Sequence, residues 1–182
     1  MAIDISTFKT AFQGGTRENR FVVSGTIPYG GGEMSQFHIK STFIPPMSTQ
    51  RMQYEFFGRK AYYPAEKQYG PWSVVVIDDT GTGNLWQKFH KWHNTINNHK
   101  TNISTIPTIS SDYKATPWTV KHLNLDGDED DDVKSFTMYG CWPKVIEPIA
   151  LSMINPNNLI QFQVLFIYDM VSFKDITPVS NP

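Results

Sequence analysis

Hydrophobic and polar positions follow two periods in this chain, and the switch between them falls within Tyr69 to Asn98. In Trp72-Ser-Val-Val-Val-Ile-Asp78, Trp72, Val74 and Val76 share one face and Ser73, Val75 and Ile77 the other. A β-branched run that is apolar on both faces predicts a strand buried on two sides. Leu85, Phe89, Trp92 and Ile96 then recur at i, i+4, i+7 and i+11, one stripe of an α-helix over about 84–98. Asn84 with Gln87 three residues on is a candidate capping box. The rest of the chain shows no other convincing helix of that length.

Period two dominates elsewhere. Phe21 to Ile27 reads as a strand, and Phe37, Ile39, Ser41 and Phe43 alternate with His38, Lys40 and Thr42 in a half-buried one. With the turn Pro28-Tyr-Gly-Gly-Gly32 between them, the two are expected to pair as a hairpin. Ile5, Phe8 and Phe12 predict one or two helical turns at the start, closed by Gly14-Gly15. Pro45-Pro46 stops the second strand. From Met47 to Tyr69 the apolar residues are interrupted by charge and by Pro64, so this region is expected to project from the core. Arg51 to Phe57 is a candidate strand, Gly58-Arg59-Lys60 a tight basic turn, and Ala61 to Tyr63 a return.

Lys100 to Tyr113 has no steady period and reads as loop. Trp118–Leu125 and Val133–Cys141 read as strands flanking an acidic hairpin tip. Gly140-Cys-Trp-Pro143 and Asn155-Pro-Asn-Asn158 read as turns. Leu159 to Asp169 is expected to be the last and longest strand, with Ile160, Phe162, Val164, Phe166 and Tyr168 on one face and Gln161 and Gln163 on the other. Ser172 to Pro182 reads as an untied tail. A β-rich protein with one well-packed helix results. No repeat or linker is visible, so one domain is expected: a core over 17–170, an N-terminal arm over 1–16 and a C-terminal tail over 171–182.

Composition adds bounds. At 182 residues with 40% hydrophobic and 18% charged positions, the chain is in the globular range and long enough for one good core. The net charge of −1 conceals an asymmetry. Six of seventeen acids, Asp126, Asp128, Glu129, Asp130, Asp131 and Asp132, form one run, leaving eleven acids against sixteen bases in the remainder. Cys141 is the single cysteine, so no intrachain disulfide is possible and a reducing compartment is expected. Neither a signal-like opening nor an apolar run approaching membrane-spanning length is present.

The candidate chemistry is thin. Gly81-Thr-Gly83 after a strand imitates a dinucleotide fingerprint, but the third glycine would fall at Trp86 and no βαβ unit follows. Asp126-Gly-Asp-Glu-Asp imitates a calcium loop, but its sixth and twelfth positions are Asp131 and Thr137, where Gly and Glu are needed. His90 and His93, with His99 nearby, lack a third ligand at metal-site spacing. No nucleophile elbow, phosphate loop or zinc-protease motif occurs. Neither an enzyme, a cofactor nor a resident metal is expected.

Seven stretches then stand in order: Arg17-Glu-Asn-Arg-Phe-Val-Val23, Phe37-His-Ile-Lys40, Gly58-Arg-Lys60, Trp72-Ser-Val-Val-Val-Ile-Asp-Asp79, Phe89-His-Lys-Trp92, Gly140-Cys-Trp-Pro143 and Leu159 to Asp169. The series resembles the tail tube protein family of contractile-tailed bacteriophages over about 4–170. It departs from that family in the Gly-rich turn near Gly30, the acidic insertion at 126–132 and the end after 170. The resemblance implies two packed antiparallel sheets, a β-sandwich or squashed barrel, with one flanking helix and extended inter-subunit loops. It implies homohexameric rings stacked into a hollow tube in the virion tail, assembled in the host cytoplasm. Partners would be the tail sheath protein, baseplate and tail terminator, with genomic DNA passing through the lumen without specific binding. On this reading Arg51, Gly58, Arg59, Lys60, Tyr62 and Tyr63 contact the next ring, the strand at Leu159–Asp169 is a candidate lumen wall, and the acidic tip faces lumen, exterior or ring interface. The same architecture serves the tubes of related injection devices and type VI-like secretion systems. A different class, a monomeric β-sandwich binding module, would use surface aromatics such as Tyr62, Tyr63 and Trp118.

Overall fold

The computed structural model describes residues 4–12, 15–80, 84–104, 114, 117–125, 132–154 and 158–174. Two four-stranded antiparallel sheets face each other. The first has the order β1 (Phe21–Ser24), β8 (Trp118–Leu123), β9 (Asp132–Tyr139), β12 (Met170–Phe173). The second has the order β10 (Trp142–Ile146), β11 (Gln161–Ile167), β7 (Trp72–Ile77), β4 (Ile39–Thr42). Two small two-stranded ladders accompany them: β2 (Thr26–Ile27) with β3 (Gly32–Glu33), and β5 (Met47–Phe56) with β6 (Arg59–Tyr69). The helices are α1 (Ile5–Ala11) and α2 (Leu85–Ile96). Among the described residues neither large sheet closes on itself, so the architecture is a sandwich with a flanking helix.

The alternating strands explain the core. Trp72, Val74 and Val76 of β7, Phe162, Val164 and Phe166 of β11 and Trp118, Val120, Phe136 and Met138 of the first sheet are all buried in one cluster. Trp118 meets Trp72 and Phe166 across the sandwich, with ring centroids 5.6 and 5.3 Å apart. Helix α2 covers the remainder of the same face of the second sheet. Phe89 lies 6.0 Å from both Phe162 and Phe166, and Trp92 lies 6.0 Å from Phe166. The stripe read from periodicity is therefore the packed stripe: Leu85, Phe89 and Trp92 are buried and Ile96 packs at its margin.

The start of α2 is fixed twice. Asn84 Oδ1 accepts from the Gln87 amide at 3.0 Å. Asp78, the first residue past β7, accepts through Oδ1 from the Leu85 amide at 2.9 Å and the Trp86 amide at 3.4 Å. Strand and helix are thus coupled through amides that a helix leaves free at its first turn.

Several expectations are corrected. The strands at Phe21–Ile27 and Phe37–Phe43 do not pair with each other. β1 pairs with β8, Val23 opposite Val120, and β4 pairs with β7, Ile39 opposite Val76. The glycine turn closes only the stub β2–β3, Thr26 opposite Glu33, and a 3₁₀ turn at Gln36–His38 then carries the chain to the other sheet. Trp118, expected on the surface, is fully buried. Gly140 does turn the chain, with φ 69°, but Trp142 and Pro143 already belong to β10. β10 is an edge strand, where proline is tolerated. β11 is neither last nor longest: it has 7 residues against 11 in β6, and β12 follows it. Ser172 and Phe173 lie in β12, opposite Thr137 and Phe136, so the chain is tied there rather than loose. Ile160 is exposed, one residue outside the ladder. Most of the loop at 100–113 and the end from 175 lie outside the described residues.

The break between β1 and β2 has a packing cause. A β-carbon on Gly25 would overlap the indole of Trp118. Trp118 is fully buried against Trp72 and Phe166 and has little room to shift, so Gly25→Ala is expected to cost about 3 kcal/mol. The chemical-denaturation midpoint measures it, and a midpoint equal to wild type would show that the indole can shift.

Candidate self-assembly surface

The six residues assigned to contact all lie on the β5–β6 hairpin, divided between its turn and its two faces. The two strands pair from Met47–Tyr69 at the base to Phe56–Arg59 at the tip, with one register shift between Thr49 and Arg51. At about 3.3 Å per residue, ten residues extend roughly 33 Å. Every residue of β5 is exposed, as is every residue of β6 except Ala65. The turn is Phe57-Gly58, with φ 47° and 74°. Positive φ at both centres suits the right-handed twist of a hairpin. The expected turn at Gly58-Arg59-Lys60 is thus shifted: Gly58 is in the turn, while Arg59 and Lys60 open β6.

The pairing register gives the hairpin two different faces. Met52 lies opposite Tyr63, Tyr54 opposite Ala61 and Phe56 opposite Arg59, so one face is apolar with a single guanidinium at its end. Arg51 lies opposite Pro64, Gln53 opposite Tyr62 and Glu55 opposite Lys60, so the other face is polar. Each face is internally tied. Tyr54 meets Tyr63 edge-on at 5.8 Å. The Arg51 guanidinium sits 5.0 Å above the Tyr62 ring, and Lys60 pairs with Glu55 at 3.7 Å. That ion pair is exposed and contributes little to stability. Sequence reading missed Met52, Tyr54, Phe56 and Phe57. The signal was present in the strict alternation of Arg51-Met-Gln-Tyr-Glu-Phe56. Phe56 and Phe57 form the tip, their rings 4.4 Å apart, and Phe57 is 90% exposed.

Two antiparallel strands alone are marginal in water. An exposed hairpin of this length, one face apolar, has the character of an element completed by a partner.

The other nominated residues lie elsewhere. Of the acidic run, Asp126, Asp128, Glu129, Asp130 and Asp131 fall outside the described residues. Asp132 begins β9, and its side chain is only 7% exposed. Burial raises its carboxyl, but Lys174, at 2.7 Å, outweighs this and holds it below the usual carboxylate range. His90, His93 and His99 border an open cleft with Trp86 and Asn94, and His99 Nδ1 is 2.7 Å from Asn94 Oδ1. Partial burial and then His93 hold His90 below the ordinary imidazole value. Among the described residues no three His, Cys, Asp or Glu side chains are grouped to hold a metal ion. Cys141 is buried, which pushes its thiol up to about 12. Iodoacetamide is expected to leave it unmodified in the native protein and to label it in denaturant, as read by intact mass. Labelling of the native protein at an equal rate would contradict the burial.

The phage tail tube protein family matches residues 16–174. The chain belongs to that family. Its role is structural, as a subunit of a tail tube. No curated protein matches it in sequence. Solved structures share the fold at low identity. The sheath/tube terminator of an extracellular contractile injection system, PVC, has TM-score 0.62 at 16% identity, covering 88% of this chain and 96% of that one. The tube terminating cap of the anti-feeding prophage has TM-score 0.64 at 15% identity, covering 94% and 99%. A chain of the PVC sheath–tube complex has TM-score 0.60 at 15% identity, covering 95% and 99%. The tail tube family thus accounts for both large sheets of this chain, since its match begins ahead of β1 and ends just after β12.

Proposed function

We propose that this tail tube protein forms rings of six that stack, through the β5–β6 hairpin, into a hollow tube. The carrying observation is the hairpin itself: long, exposed along both strands except at Ala65, and apolar on one face. The chain acts as one domain in this role. Ring closure would join the open edges at β1, β12, β10 and β4 to those of neighbours, which removes exposed strand edges. The tube conducts genomic DNA without gripping it. A strongly basic lumen would hold phosphates through counterion release, and a chain of net charge −1 does not require one. A sheath, a baseplate and a terminator would engage the same tube, as the sheath–tube and terminator assemblies of the similar structures suggest. Assembly takes place in the host cytoplasm and the product resides in the virion tail. No catalysis is assigned to any part of the chain.

Negative-stain microscopy of purified protein tests this. Rings or stacked tubes are the expected particles. A monomer at every concentration, with baseplate present as well, would falsify the reading. Arg59→Glu places an anion at the end of the apolar face. It is expected to raise the concentration needed for stacking about tenfold while leaving the melting temperature unchanged. Tubes of normal length at the wild-type threshold would remove Arg59 from the contact.

A further inference from the structure

The hairpin is one half of a contact, and a head-to-tail contact requires a second, different patch on the same molecule. The strand register locates both halves. In the second sheet Thr42 pairs with Val74, Trp72 with Phe166 and Trp142 with Ile167, which defines one end. Ile39 pairs with Val76, Ile77 with Gln161 and Ile146 with Val164, which defines the other. The hairpin leaves after Thr42 and returns before Trp72, at the first end. The connection from β10 to β11 leaves after Ile146 and returns before Gln161, at the opposite end.

That opposite end carries exposed apolar side chains. Leu151, Met153, Ile154 and Leu159 of the connection are all largely exposed, and Met153 is as exposed as in an extended chain. Phe37, just before β4, is 83% exposed at the same end, beside the other edge of the sheet. Ile160 joins them, held beside β7 by its carbonyl, which accepts from the Asp78 amide at 2.9 Å. The charges differ between the two ends as well. The hairpin tip brings Arg59, together with Lys60 and Glu55, which pair with each other at 3.7 Å. The opposite end brings Glu147, just past β10, and Asp79, just past β7 and 3.7 Å from His38 Nε2, with Lys40 bonded to Gln161 beside them.

We infer that the apolar surface of Phe37, Leu151, Met153, Ile154 and Leu159 receives the hairpin tip of a second copy of this chain. Phe56 and Phe57 seat among these side chains, while the Arg59 guanidinium approaches Glu147. Donor and acceptor lie at opposite ends of one strand direction, so each contact leaves one free donor and one free acceptor. The product is a polar stack that extends along the strands of the second sheet and does not close on itself. The inference rests on the tail tube reading and adds to it the surface that takes up the hairpin.

Two variants test it. Met153→Glu with Ile154→Glu puts carboxylates in the acceptor at positions that make no core contact. The double variant is expected to fold with the wild-type melting temperature and to need at least about tenfold more protein to stack. Phe57→Cys with Ile154→Cys is expected to give a ladder of dimers, trimers and higher multimers on a non-reducing gel under assembly conditions, with neither single variant doing so. The buried thiol of Cys141, pushed up to about 12, stays out of this exchange. Tubes from the double-Glu variant at the wild-type threshold, or wild-type-like tubes without a ladder from the cysteine pair, would overturn the acceptor while leaving the tail tube reading in place. Failure of the wild-type chain to stack in the parallel control would overturn both.

Discussion

Phe166→Ala is expected to remove about 3–5 kcal/mol of folding stability. Phe166 has no exposed surface, and four aromatic rings surround it. Trp72 lies 5.0 Å away within its own sheet, Trp118 5.3 Å away on the facing sheet, and Phe89 and Trp92 each 6.0 Å away on α2. One ring therefore joins both sheets and the helix. The neighbours are indoles and a phenyl held by separate elements, so they cannot all collapse into the space left by truncation. The cost is the lost transfer energy plus that of a persistent cavity. Domains have about 5–15 kcal/mol in total, so the variant is expected to sit close to unfolding. Guanidinium titration should show a much lower midpoint at unchanged slope. Phe166→Leu, which keeps most of the volume, should cost far less. A loss below about 1 kcal/mol for the alanine variant would show that the rings repack and that the three layers are not joined at this point.

The elements legible from the sequence are those whose signal is local. Trp72 to Ile77 carries alternation within six residues, and Leu85 to Ile96 carries its stripe within twelve. Asn84 was legible as a cap because capping operates over three residues. Pairing was not legible. A period of two states which residues share a face and is silent about the neighbour that face or edge will meet. β1 meets β8 nearly a hundred residues further on, and the nearer, glycine-linked partner at β4 belongs to the other sheet. Trp118 and Val120 alternate with Thr119 and Lys121, so the inward face of β8 is legible in the sequence, while the partners that cover Trp118, Trp72 and Phe166, are remote and are not. Asp78 as a second cap was hidden for the same reason, since it acts across the segment joining β7 to α2. In the candidate assembly surface, the projection of Met47 to Tyr69 is legible from charge interrupting apolar positions, whereas contact of its six nominated residues with a neighbour rests on the family resemblance and is a proposal. The apolar face is written in the alternation from Arg51 to Phe56, but the basic pair Arg59-Lys60 draws the expected turn one residue past Phe57-Gly58 and obscures it.

Excision of the hairpin is expected to abolish tube formation and leave the body folded. The base is suited to a clean cut. Met47 and Tyr69 are opposite each other, and below them the Gly70 amide donates to the Pro46 carbonyl at 2.9 Å. Replacing 48–68 with Asn-Gly closes the Met47–Tyr69 pair with a two-residue turn of the type that such pairs favour. The contacts of Tyr69 with Tyr168, and the 2.9 Å hydrogen bond from the Tyr168 hydroxyl to the Gly70 carbonyl, remain. The excised residues are exposed apart from Ala65, so their removal takes almost no buried apolar area from the body. The melting temperature should therefore stay within a few degrees of wild type. Stacking, in contrast, loses Phe56, Phe57 and the whole apolar face, and no raised protein concentration should restore it. Calorimetry and negative-stain microscopy on one preparation separate the two effects. Tubes from the shortened chain would show that stacking uses another surface, and a body that no longer melts cooperatively would make the hairpin part of the fold rather than an arm built for a neighbour.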